Sequence, residues 1–129
     1  VMVRRSLAAD SSPENVARQA KRATDLHQLE LVNHFEIEEQ VLFPACAPMP
    51  LIDELLGDLL RDHRTIEAFA AQLSQAPSAD LLERFCALLS AHIRREEREL
   101  FEQIQRTLPR DVLCRMGAEI DRRAVRICL

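Results

Sequence analysis

The stretch His34-Phe-Glu-Ile-Glu-Glu-Gln-Val-Leu-Phe43 decides how this chain is read. It returns 58 residues later (92 − 34 = 58) as His92-Ile-Arg-Arg-Glu-Glu-Arg-Glu-Leu-Phe101, with His, Glu, Glu, Leu and Phe coinciding at five of ten places. In each copy the His and the first Glu are spaced i, i+4. That spacing sets an imidazole and a carboxylate one turn apart on one face of a helix. A third pair at the same spacing, His63 and Glu67, lies between the two copies. A repeated helical hairpin makes a bundle with approximate two-fold symmetry, so each repeat brings the same side chains to the core from opposite sides.

Working outward, punctuation divides the rest of the chain into helices. Residues 1–9 read as the end of a helix. Asp10, Ser11 and Ser12 break it, and Ser11-x-x-Glu14 with Pro13 resembles a capped helix start. A long helix is expected over 13–43, ended by the prolines Pro44, Pro48 and Pro50. A third is expected over 50–75 and a fourth over 79–107 with Ser78 as its N-cap. A last one follows Pro109 over 110–127. Apolar residues recur at helical spacing in these segments: Ile52, Leu55, Leu59, Ile66, Ala70 and Leu73 in one, and Leu81, Phe85 and Leu88 leading up to His92 in the next. Long helices with short connections predict an all-α, antiparallel up-down four-helix bundle with an additional C-terminal helix.

Composition agrees and removes alternatives. The 129 residues fit a single domain, with hydrophobic residues at 47% and charged residues at 29%, a globular balance. The two glycines, Gly57 and Gly117, are too far apart to build a phosphate-binding loop. A net charge of −4 gives no general electrostatic case for nucleic acid. Trp and Tyr are absent, which excludes a tyrosyl radical. The four cysteines, Cys46, Cys86, Cys114 and Cys128, are dispersed without a C-x-x-C pair and read as reduced cytosolic thiols, implying a cytoplasmic protein. No apolar run approaches a membrane span, and no membrane partner is expected.

The chemistry lies where polar residues interrupt the apolar stripes. His34 with Glu38, His63 with Glu67 and His92 with Glu96 fall at positions that should face inward, where charge is costly unless paired or bound to metal. Mixed imidazole and carboxylate ligands suit iron or manganese, and zinc less specifically. Two adjacent metals bridged by carboxylates would use all six side chains. Ferritin-like bundles place Glu three residues before His. Here those positions are Leu31, Leu60 and Leu89, and no H-E-x-x-H occurs, which removes a zinc peptidase.

His34-x-x-x-Glu38-Glu39 with Leu42-Phe43-Pro44, Asp62-His63, and His92-x-x-x-Glu96-Glu97 with Leu100-Phe101 resemble the hemerythrin-like family of HHE cation-binding domains over nearly the whole chain. The resemblance implies a four-helix bundle holding a non-haem di-iron centre with an oxo or hydroxo bridge, in which manganese or zinc could substitute. It also implies O2 or peroxide as the small ligand, in oxygen or redox sensing, peroxide handling or iron handling. Binding or sensing is preferred to catalysis, and a homodimer is compatible with it. Oxygen-carrying members place two His one turn apart on the third helix, and here the second position is Glu67. Members also take a His from the first helix. The repeat puts the equivalent position at Arg5 (34 − 29 = 5), so that ligand is expected upstream of Val1. The rival reading is a bundle without metal that serves as a partner-binding or dimerisation module.

Other residues carry plainer expectations. His27 lies about 10 Å along the helix axis from His34 and reads as a core or rim histidine. Glu39 and Glu97 fall beside the ligand face, in supporting or surface positions. Glu67 either ligates or pairs with Arg64. Arg94, Arg95 and Arg98 read as a solvated face, and Arg122, Arg123 and Arg126 form too short a cluster to imply nucleic acid.

Overall fold

The protein is described by a computed structural model over residues 9–49 and 51–123, and among these residues the regular structure is entirely helical. Helix α1 begins as Pro13–Leu26. It continues through a π-helical turn His27–Leu31, an α segment Val32–Ile37, a second π turn Glu38–Leu42 and a last α turn Phe43–Cys46. Helix α2 is Asp53–Gln75. Helix α3 runs as Ala79–Arg95, a π turn Glu96–Leu100, and Phe101–Thr107, and α4 is Arg110–Arg123. The expected helix end over residues 1–8 and the tail beyond 123, including Arg5, Arg126 and Cys128, lie outside the described residues.

Local chemistry accounts for the helix ends. Ser12 caps α1, its Oγ accepting from the Asn15 amide at 3.3 Å, with Pro13 in the first turn where no amide donor is needed. The cap is therefore Ser12, one residue beyond the expected Ser11. Ser78 caps α3 as expected, accepting from the Leu81 amide at 3.1 Å. Helix α1 also outlasts its expected end at Phe43. The Phe43 amide donates to Glu38 O, a five-residue step. A turn of that width spaces the carbonyls that a following proline ring would otherwise strike, so Pro44 is accommodated. Beyond it Leu51, almost fully exposed, takes a left-handed conformation (φ 61°) and turns the chain toward α2.

Two apolar clusters form the core. One gathers Val16, Ala20, Ala23 and Phe35 of α1 with Ile66, Ala70 and Leu73 of α2 and Leu82 and Phe85 of α3. The other gathers Leu42, Phe43 and Cys46 with Leu56, Leu59, Leu100 and Ile104, and Leu113 and Met116 of α4 pack against it. Helix α4 is also tied to α1 by polar contacts: Arg123 Nη1 donates to Gln40 Oε1 at 2.9 Å, and Asn33 Nδ2 donates to Arg123 O at 3.4 Å. Along every long helix a polar layer falls between the two clusters. Phe35 and Leu42 flank Glu38, Ile66 and Leu59 flank His63, and Phe85 and Leu100 flank His92 and Glu96.

Candidate metal centre

Glu38 of α1, His63 of α2 and His92 and Glu96 of α3 meet in that layer. All four are buried, and one ligand atom from each lies within 4.8 Å of the others. Glu38 and Glu96 each open a π turn, and each turn closes with the same five-residue bond, Phe43 N to Glu38 O and Phe101 N to Glu96 O. The internal repeat thus extends to the backbone. One extra residue per turn rotates the helix beyond the Glu, which keeps both the carboxylate above it and the Leu below it facing the core.

The imidazoles are aimed from behind. His63 Nδ1 bonds Glu39 Oε2 at 2.9 Å, and His92 Nδ1 bonds Asp62 Oδ2 at 3.0 Å. A carboxylate on Nδ1 keeps the proton there and turns Nε2, bare, toward the centre. Aromatic packing fixes the rings further. Phe35 stacks on His63 with centroids 3.9 Å apart and meets His92 edge-on at 5.8 Å, and Phe43 stacks on His63 at 5.7 Å.

The inward atoms carry no well-directed hydrogen bond among the described residues. Both Glu38 oxygens, Glu96 Oε1, His63 Nε2 and His92 Nε2 are buried without a hydrogen bond. They approach closely, with His92 Nε2 2.5 Å from Glu96 Oε1 and His63 Nε2 3.5 Å from Glu38 Oε1, yet hydrogen-bond direction is not met. Unpaired buried polar atoms are costly. Donors crowded around a common point without bonding one another are what a cation would satisfy. Two imidazole nitrogens and two carboxylates match a divalent first-row metal.

Protonation fits the same picture. Burial, then the neighbouring Glu38, pushes the Glu96 carboxyl up to about 7 against the pull of His92. Burial acts on Glu38 as well, but His34 and His63 at its oxygens, with Glu96, hold it below the usual carboxylate range. Two carboxylates in one dry site cannot both ionise cheaply, so a proton stands where a metal would supply the charge.

Of the six residues read from the sequence, four form the buried group. His34 stands at its edge, with Nε2 3.0 Å from Glu38 Oε1 and its side chain 59% exposed. Glu67 stands apart from the group. It accepts from Arg64 Nη1 at 3.1 Å, and Arg64 Nη2 also donates to Glu39 Oε1. His27 is half-buried and outside the group; burial lowers its pKa, and its Nε2 has no hydrogen-bond partner among the described residues. Glu39 takes the supporting position, whereas Glu97 is exposed. Asp62, noted in the sequence beside His63 without a role of its own, supports the other histidine. It precedes His63 but serves His92, thirty residues on. A cavity of about 720 Å³ reaches Glu38, His92 and Glu96, walled on its other side by Leu113, Met116 and Ile120 of α4.

The chain matches the family model of the hemerythrin HHE cation-binding domain over residues 2–104 and belongs to that family. No curated protein and no solved structure matches it. No helix of the described residues is long and apolar enough to cross a membrane.

Proposed function

We propose that this chain is a single-domain hemerythrin-like protein, an antiparallel up-down bundle holding a non-haem di-iron centre that binds or senses oxygen or peroxide in the cytoplasm. The observation that carries the reading is the buried set of Glu38, His63, His92 and Glu96 with its inward atoms unpaired. In this reading His63 and His92 are terminal nitrogen ligands. Glu38 and Glu96, related by the repeat, would hold the metal through their carboxylates. His34, beside Glu38 at the rim, would be a third nitrogen ligand. Glu67 acts on the ligands from outside through Arg64. Bound iron would supply reversible ferrous–ferric chemistry toward oxygen or peroxide.

The protein supplies the setting. Asp62 and Glu39 hold the imidazole protons on Nδ1, and Phe35, Phe43 and Leu100 pack around the layer. The cavity beside α4 gives a small molecule a route to Glu38 and Glu96. The test is metal analysis with an optical spectrum after expression in iron-replete medium. The chain lacks Trp and Tyr, so absorbance beyond the phenylalanine region reports the centre almost alone. Stoichiometric iron with charge-transfer bands supports the reading, and a metal content well below one ion per chain contradicts it.

A further inference from the structure

The two buried imidazoles are braced alike but not charged alike. A carboxylate accepting from Nδ1 makes the far nitrogen, Nε2, a stronger donor to metal. Behind His92, Asp62 has no arginine ion pair among the described residues. Its neighbour Arg95 forms its ion pairs with Asp58 at 3.2 Å and Glu99 at 3.0 Å, and its charge reaches Asp62 only at longer range. Behind His63 the arrangement differs. Glu39 gives one oxygen to His63 and the other to Arg64, whose second nitrogen bonds Glu67 at 3.1 Å. A guanidinium seated on Glu39 cancels part of the charge that would strengthen His63 as a donor.

We propose that Arg64 is a positioning residue that weakens the His63 side of the centre by neutralising Glu39, so that the metal held through His63 exchanges first. The proposal rests on the reading of the cluster as a metal centre and adds an asymmetry to it. Arg64 is more than half exposed, so water screens its charge. Its influence is therefore smaller than that of removing the carboxylate itself, which costs about 10–100-fold in affinity. The sign separates this role from a merely structural one. If Arg64 only aimed Glu39, removing it would loosen metal. If it drains charge from Glu39, removing it tightens metal.

The experiment is titration of the metal-free protein with cobalt(II), followed by visible absorbance, with release to a chelator measured in parallel. Arg64→Ala should tighten the weakest-bound cobalt by roughly threefold to tenfold and slow its release in proportion, the scale set by a screened partner of a supporting carboxylate. Arg64→Lys, which keeps the charge, should restore wild-type behaviour. Unchanged or loosened cobalt in Arg64→Ala overturns the proposal and leaves the metal centre standing. A Glu38→Ala, Glu96→Ala variant that still binds cobalt with wild-type affinity overturns the centre, and the proposal with it.

Discussion

Asp62 Oδ2 lies 3.0 Å from His92 Nδ1 across the α2–α3 interface, so the residue beside one buried histidine of the cluster orients the other. The two helices that carry the histidines are thereby locked in register at the level of the site. Asp62→Ala should cost about 10–100-fold in metal affinity while leaving the helical fold intact, because His92 loses its tautomer and its aim but no core volume is removed. Metal titration beside a circular-dichroism melt checks this. Unchanged affinity would mean that the bond is incidental.

Removing the two buried carboxylates should separate metal binding from stability. Glu38→Ala with Glu96→Ala leaves nothing to balance clustered cations, so metal binding should be lost. The metal-free melting temperature should hold or rise by a few degrees, since a close pair of buried acids disappears. Retained metal in the double variant would show that the ligands are elsewhere.

Metal-free stability should fall as pH rises from about 5 to 8. Glu96 titrates near 4.5 when unfolded and near 7 when folded, so its contribution is full below 4.5 and is lost as pH rises through 7. His34, raised first by its close contact with Glu38, and His92, which Glu96 and Asp62 raise in spite of burial, act in the same sense: their support fades above 6.5. His27, lowered by burial, acts oppositely, and Glu38, held low, is constant over this window. Metal requires deprotonated ligands, so affinity should climb over the same range. Denaturant midpoints of apo protein at several pH values, paired with metal titrations, should show opposite slopes. Parallel slopes would contradict the assigned protonation.

His27→Ala should leave metal content unchanged, because His27 lies outside the buried group. His63→Ala and His92→Ala should deplete metal. Depletion by His27→Ala comparable to that by His34→Ala would place the ligand layer one turn pair too far along α1.

Much of this was legible in the sequence because the periodicity of α1, α2 and α3 and the spacing of His34 with Glu38 and His92 with Glu96 depend on helix geometry alone. Pro109 and Ser78 marked helix ends by their own backbone chemistry. What was not legible depends on contacts between helices. The π turns at Glu38 and Glu96 have no residue signature; one extra residue in the turn brings both Glu and Leu inward. Glu67 shares the spacing of the other His–Glu pairs, and the position of Arg64, bonded to both Glu39 and Glu67, decides between the two expectations for it. Asp62 pairs with a residue thirty positions away, which no local pattern reports. The helix end at Cys46 lies beyond the π turn before Pro44, a backbone feature that no residue type in the stretch announces.

The most direct measurement of the central claim is an anomalous-difference map at the iron edge from crystals of the iron-loaded protein. The account predicts density in the polar layer between Glu38, His63, His92 and Glu96, within bonding distance of the two Nε2 atoms. Iron bound elsewhere, beside His27 or Glu67, or an ordered layer without anomalous density in iron-replete crystals, would contradict it.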